Sequence, residues 1–211
     1  MCKFGAIILA AGLSRRMGKP KLFLPLFNVP VIHYSVSLAV RQKLDPIIVV
    51  GGEHVQQLQL ELDEYKEKIA IIYNSEYEQG MSTSLKVGIN AVNEKADGVF
   101  IFLADQPFVS NLVVEKLLKA YEENYENGMK IFRPRYADQV GHPILFDKSL
   151  FSKFDTLSGD EGGKRILKAN EDKLVYVDFE NEKLNFDIDT PQDYDSLIKP
   201  NLNLRSEEFD N

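Results

Sequence analysis

Short apolar runs separated by stretches of helical spacing predict an α/β protein, a single domain built on a doubly wound, mostly parallel sheet. Three observations carry this reading. Residues 4–9, 46–50, 69–73 and 99–103 are continuously apolar rather than alternating, as strands covered on both faces must be. The intervals between them hold helical spacing long enough for the crossovers that parallel neighbours need. The chain has 211 residues, 44% of them hydrophobic, enough to bury one core, and no Pro-, Gly- or Ser-rich linker divides it.

Element by element, the strand over 4–9 empties into a basic loop, and helices follow over 31–42, 54–67 and 82–93 between the next strands. After the fourth strand a helix spans 110–125, with Ser110 as its N-cap and Gly128 as a natural stop. The second half has shorter pieces: strands over 130–133, 143–146 and 174–177, and a helix over 163–170. A last strand over 185–189 feeds a helix over 191–198, capped by Thr190 with Pro191 in its first turn. The expected domain is therefore 1–198, followed by a polar tail over 199–211. In doubly wound sheets ligands bind beyond the carboxyl ends of the strands, so Gly12, Asp105 and the loop after Tyr73 should meet at one rim.

The loop behind the first strand carries the chemistry. Leu9, Ala10, Ala11 and Gly12 leave room for backbone N–H groups to approach a phosphate, and Arg15, Arg16, Lys19 and Lys21 bring the opposing charge. It is not a Walker loop, because five residues separate Gly12 from Gly18 and Pro20 follows Lys19. It is not a dinucleotide fingerprint either, because Ser14 stands where the second glycine belongs.

Net charge −7 and a pI near 5.1 argue against a nucleic-acid-coating role, since such binding needs a basic face. Cys2 is the sole cysteine, so no disulfide forms within the chain and a reducing cytoplasm is the expected compartment. The apolar stretch before Gly12 is too short for a signal peptide and is followed at once by arginines. No segment approaches the roughly 18 apolar residues of a membrane helix.

Asp105 ends the fourth strand, and Pro107 then turns the chain out of regular structure. A carboxylate at that rim would repel a triphosphate unless a divalent cation lay between them, and Mg²⁺ favours one or two carboxylates plus phosphate oxygens. A doubly charged ion about 3 Å from a phosphate charge gains roughly 11 kcal/mol before desolvation at an effective dielectric near 20. A helix terminus offers only about 0.3 to 1 kcal/mol, so the metal should dominate. Strand alternation puts Asp187 and Asp189 on one face, and a calcium loop is excluded by Pro191 and Gln192. Asp189 as a mere helix cap is the competing reading. Gly80, Ser82 and Ser84 open the third helix, where free N–H groups suit an anion or base edges as well as an ordinary cap.

Leu9-Ala10-Ala11-Gly12, Arg16-Met17-Gly18 and Lys21 together resemble the nucleotidyltransferase signature, and within it the chain is most similar to the molybdenum cofactor cytidylyltransferases of the MobA-like group. The run from Gly80 through Ser82 and Ser84 to Leu85 resembles the corresponding nucleotide-side segment of those enzymes. The resemblance implies a Rossmann-like nucleotide-diphospho-sugar transferase fold, with Arg16, Lys21 and Asp105 catalytic. It makes Leu9, Ala10, Ala11, Gly12, Arg16, Lys21, Gly80, Ser82 and Ser84 nucleotide-binding, and Asp105 and Asp189 the ligands of Mg²⁺. Gly141-His142-Pro143 and the segment from Gly159 to Arg165 resemble acceptor-side segments, which implies acceptor roles for His142, Gly159, Asp160 and Arg165. A turn histidine and an exposed acidic loop remain the plain alternatives there.

The implied reaction transfers CMP from CTP to the phosphate of molybdopterin, with release of pyrophosphate. It implies a molybdenum hydroxylase as the eventual recipient, and no nucleic acid or membrane partner. Guanylyl transfer to the same acceptor, cytidylyl or uridylyl transfer to a sugar or alcohol phosphate, and a noncatalytic cofactor-binding role are the alternatives.

Overall fold

The computed structural model describes residues 2–198; the polar tail expected over 199–211 lies outside them. The sheet has strand order β10-β7-β9-β6-β1-β4-β5, with β8 attached to β7. Its parallel half is formed by β1 (Phe4–Ala10), β4 (Ile47–Gly51), β5 (Ile69–Tyr73) and β6 (Gly98–Leu103). These are the four continuous apolar runs, and β4 is buried at every residue. A two-stranded hairpin, β2 (Pro25–Leu26) and β3 (Val29–Pro30), stands apart.

The crossovers are α1 (Val31–Arg41), α2 (Val55–Glu61) and α3 (Met81–Val92), with α4 (Asn111–Asn124) after β6. The first, second and fourth lie within their expected intervals, and α3 begins and ends one residue earlier than expected. The second is shorter than its spacing suggests: after Leu62, itself 1% exposed, the chain tightens into a 3-10 turn over Asp63–Tyr65. Ser110 occupies the N-cap position of α4 without a side-chain capping bond.

Beyond α4 the sheet turns mixed. Strand β7 (Ile131–Tyr136) runs parallel to β10 (Leu174–Phe179), while β9 (Ile144–Asp147) is antiparallel to both β6 and β7. Pro134 accounts for the shorter strand expected from sequence, since it has no N–H to donate. Pairing with β9 stops at Phe132, and Pro134 instead accepts from Gly141 N–H through its carbonyl at 3.0 Å. Strand β8 (Gln139–Val140) and helices α5 (Lys164–Ala169) and α6 (Pro191–Ile198) complete the set.

The strand expected over 185–189 does not form. Residues 182–185 make a 3-10 turn, and the next residues pair with no strand. Ile188 N–H donates to the Asp105 carbonyl at 3.1 Å, and the Ile188 side chain is fully buried. One backbone bond and one anchor thus hold this segment against the rim.

Two apolar layers enclose the sheet. One joins alternate strand residues such as Ile8 and Phe102 to Val36, Leu117 and Tyr194 from α1, α4 and α6. The other joins Ile7 and Ile101 to Leu85, Ile89 and Ile166 from α3 and α5. Such burial on both faces is what non-alternating strands require. Among the described residues no helix is long and apolar enough to cross a membrane.

Candidate active site

Strand β1 delivers the basic loop to the carboxyl rim. Met17, 4% exposed, anchors it from below, and the N–H groups of Met17 and Gly18 donate to the Ser14 carbonyl at 3.0 and 3.1 Å. Ser14 has φ +49°, a left-handed turn in which glycine is the ordinary choice. Space for a ligand stands open above Gly12, where an added Cβ would meet nothing within 4 Å.

The loop ends at Lys21, whose side chain turns inward. Its Nζ lies 2.5 Å from Asp105 Oδ2 and 2.8 Å from Asp189 Oδ1. Arg16, more exposed, reaches Asp189 Oδ2 at 2.7 Å. Burial by itself lowers the Lys21 pKa, but the Asp105 and Asp189 carboxylates outweigh it and hold the ammonium above its usual value. Asp187 stands beside them with its outer face exposed. Desolvation first and the Asp105 charge second push its carboxyl up to about 6, while a hydrogen bond from Gln106 acts the other way.

Thr190, not Asp189, caps the last helix. Thr190 Oγ1 accepts from Asp193 N–H at 3.2 Å, and Asp193 Oδ2 accepts from the backbone N–H of Thr190 at 2.7 Å, a reciprocal capping pair. Both Asp189 oxygens are thereby left to the rim.

A cleft of about 370 Å³ opens beside this cluster. Leu9, Ala11 and Gly12 from the loop, Gly80 and Ser84 from the start of α3, and Asp105 and Asp160 all border it. Ser84 Oγ accepts from Asn74 Nδ2 at 2.9 Å, which leaves its own O–H to donate. A hollow of about 470 Å³ between Phe27, His33 and Phe108 lies elsewhere and collects none of the loop cations or the three aspartates.

Some expected site residues are placed otherwise. Ala10 is 7% exposed and packs into the core. Ser82 is fully buried in the first turn of α3, with no partner for its hydroxyl among the described residues. The N–H groups at that helix end are already used: Met81 N–H donates to Asp160 Oδ1 at 3.2 Å and Ser82 N–H to the Gly159 carbonyl at 3.1 Å. Asp160 and Gly159 therefore clasp the helix end instead of leaving it free for an anion. Arg165 lies outside the cleft and donates to the Thr156 carbonyl at 3.3 Å. His142 borders a second, smaller cavity next to the first. Sequence reasoning gave no site role to Tyr77 and Glu78, which border the cleft, and chose Arg16 over Arg15, which also borders it. Arg15 had a signal in the cationic loop; Tyr77 and Glu78 had none.

A divalent cation fits this donor set. No group of three His, Cys, Asp or Glu side chains among the described residues forms a complete metal cage. Two hard carboxylates, Asp105 and Asp189, do meet at the Lys21 ammonium, however, and Mg²⁺ in nucleotide sites needs only one or two carboxylates because phosphate oxygens and water supply the rest.

The MobA-like NTP transferase domain matches residues 6–174. The purine catabolism protein PucB of Bacillus subtilis is 31% identical over 203 residues, covering 90% of this chain and 94% of that protein. The molybdenum cofactor cytidylyltransferase of Escherichia coli is 29% identical, covering 92% and 95%. Among solved structures, Rv0371c of Mycobacterium tuberculosis superposes with a TM-score of 0.76 at 26% identity over 93% of this chain and 97% of that one. Rv0371c has also been solved in complex with manganese, with a TM-score of 0.72 at 24% identity over 92% and 97%. The chain thus belongs to the MobA-like NTP transferase family, and the reaction it serves is nucleotidyl transfer.

Proposed function

We propose that the protein transfers CMP from CTP to the terminal phosphate of a molybdopterin cofactor and releases pyrophosphate. One observation carries the reading: Lys21, Asp105 and Asp189 are gathered at the mouth of the small-residue loop, beside a cleft of nucleotide scale.

The cleft receives the nucleoside between the start of α3 and the loop, with the Ser84 hydroxyl facing it. Backbone N–H groups around Gly12 approach the phosphates, because no side chain stands in the way. Lys21 and Arg16 stabilise charge that develops on the α-phosphate and the departing pyrophosphate. Asp105 and Asp189 would hold a magnesium ion, which supplies neutralising positive charge to the phosphates. The acceptor is a phosphate monoester, mostly dianionic near neutrality, so the chain need not provide a general base. The oxygen of that phosphate attacks the α-phosphorus in line, a new P–O–P bridge forms, and the bond to pyrophosphate breaks.

Cytidylyl transfer is favoured by the resemblance across nearly the whole chain to the Escherichia coli cytidylyltransferase. The deciding experiment incubates purified protein with molybdopterin and CTP, GTP or UTP, with magnesium or manganese, and follows pyrophosphate and product mass. Product from CTP supports the reading. Product from GTP alone replaces the nucleotide, and ligand binding without pyrophosphate replaces the enzyme with a carrier. A molybdenum hydroxylase as recipient, and a cytoplasmic setting, belong to the same proposal.

A further inference from the structure

Arg133, in the middle of β7, is a half-buried guanidinium that forms no ion pair with any described residue. Its Nε donates to the Gly141 carbonyl at 3.1 Å, its one hydrogen bond to a described residue. Arg135, two residues on, is the contrast: it grips Asp178 through two bonds of 2.6 and 2.9 Å. Burial pushes the Arg133 pKa below the usual guanidinium value, and the Tyr176 phenol offsets this only in part. A partly desolvated cation with spare donors is costly unless something supplies acceptors.

Arg133 faces a cavity of about 170 Å³. Leu9, Met81 and Asp160 border both this cavity and the nucleotide cleft, so the two adjoin. Ile101, Ile144 and Phe146 give it apolar walls, while His142 stands beside Arg133 and Asp160 and Glu161 stand at the mouth.

These neighbours select the ligand. A phosphate suits a guanidinium fork, but a dianion facing two carboxylates is repelled. The apolar walls favour a flat ring, and the volume equals that of about six liquid waters, the scale of a bicyclic heterocycle rather than a lone anion. Such a ring needs an acceptor for the arginine and adjacent donors for the carboxylates. The 2-amino-4-oxopyrimidine edge has this order: a carbonyl oxygen, a ring N–H and an amino group. Arginine reads the same carbonyl in guanine, and carboxylates accept from exocyclic amino groups.

Resting on the acceptor reading above, we propose that this cavity holds the pterin ring of the acceptor, with Arg133 donating to its carbonyl and Asp160 or Glu161 accepting from its amino edge. Guanine carries the same edge. The pterin is the assigned occupant because the cavity extends from the nucleotide cleft away from the basic loop, toward the β7 and β9 half of the sheet.

The test uses 6-hydroxymethylpterin as a fluorescent probe for the full chain, with Mg²⁺ and CTP titrated separately by calorimetry. The wild-type protein should bind the probe, and Arg133→Met should bind it about tenfold more weakly or worse, the scale of one bidentate contact. Arg133→Lys should restore only part of the loss, because the ammonium lacks the fork. Affinity for Mg²⁺–CTP should stay the same in all three. Equal probe binding by wild type and Arg133→Met would overturn the role of Arg133. Absence of probe binding by a protein that binds Mg²⁺–CTP would overturn the pterin assignment, and weaker CTP or GTP binding by Arg133→Met would give the cavity to the nucleobase. Turnover of wild-type protein with molybdopterin and CTP tests the reaction itself independently of these results.

Discussion

Lys21 and Asp189, 168 residues apart in sequence, meet at 2.8 Å. The same ammonium lies 2.5 Å from Asp105, so one lysine joins the end of the first loop, the end of β6 and the segment before α6. With Asp187 also near, three aspartates share Lys21 and the exposed Arg16 as their close cations. On the proposed reading, a metal-bound triphosphate would bring a further cation to that local negative excess. Carboxylates and cationic loop together therefore suit a nucleotide that arrives with its metal, rather than a bare anion.

Asp105→Asn should abolish turnover while the near-ultraviolet circular dichroism stays that of the parent. The amide keeps the shape but loses the charge that pairs with Lys21 and that, on the proposed reading, would hold the metal. Retained turnover would remove Asp105 from the reaction.

Lys21→Ala should lower kcat about 10²- to 10³-fold, the usual loss when one donor to a developing oxyanion is removed. It should also lower the melting temperature at pH 7, because Asp105 and Asp189 lose their shared cation. Single-turnover kinetics and a thermal melt check the two effects. A rate within about threefold of the parent would make Lys21 peripheral to the chemistry.

Gly80→Ala should destabilise the protein by about 1 to 3 kcal/mol. Gly80 has φ +110°, and an added Cβ would fall 2.5 Å from both Asp160 Oδ1 and the Gly159 carbonyl carbon. Denaturant unfolding measures the loss, and hydrogen exchange over 158–163 should show the clasp loosened. A variant as stable and as protected as the parent contradicts that account of the clasp.

His142→Gln should make stability less sensitive to acid. Burial first and the Arg133 charge second push the His142 pKa down to about 4, below its ordinary value of 6.5. The unfolded chain then binds the extra proton more readily. The stability from keeping this ring neutral is complete above pH 6.5 and is lost as pH falls toward 4, at a slope of at most about 1.4 kcal/mol per pH unit. Melting temperatures between pH 7 and 4 should diverge from the parent in that window alone. Parallel curves would mean that the ring titrates freely.

The sequence by itself determined what local physics controls. Four continuous apolar runs read as strands covered on both faces, which holds for β1, β4 and β6, whereas β5 at the sheet edge has no buried residue and leaves Ala70 and Tyr73 exposed. The Leu9 to Lys21 segment joined room for a backbone approach to a surplus of cations, and Asp105 had to sit at a strand end because Pro107 follows it. Strand alternation even placed Asp187 and Asp189 together correctly, although the strand itself never forms: burial of Ile188 and its bond to the Asp105 carbonyl impose the same facing without a partner strand. Thr190 as the cap of α6 was legible too, since its partner Asp193 is only three residues away. Only the tertiary structure decided that Lys21 joins Asp105 to Asp189, that Asp160 occupies an N–H group at the start of α3, and that Arg133 forms no ion pair among the described residues. The reason is common to all three. Whether a polar group is satisfied depends on which distant segments fold against it, and residue type and spacing carry no record of that.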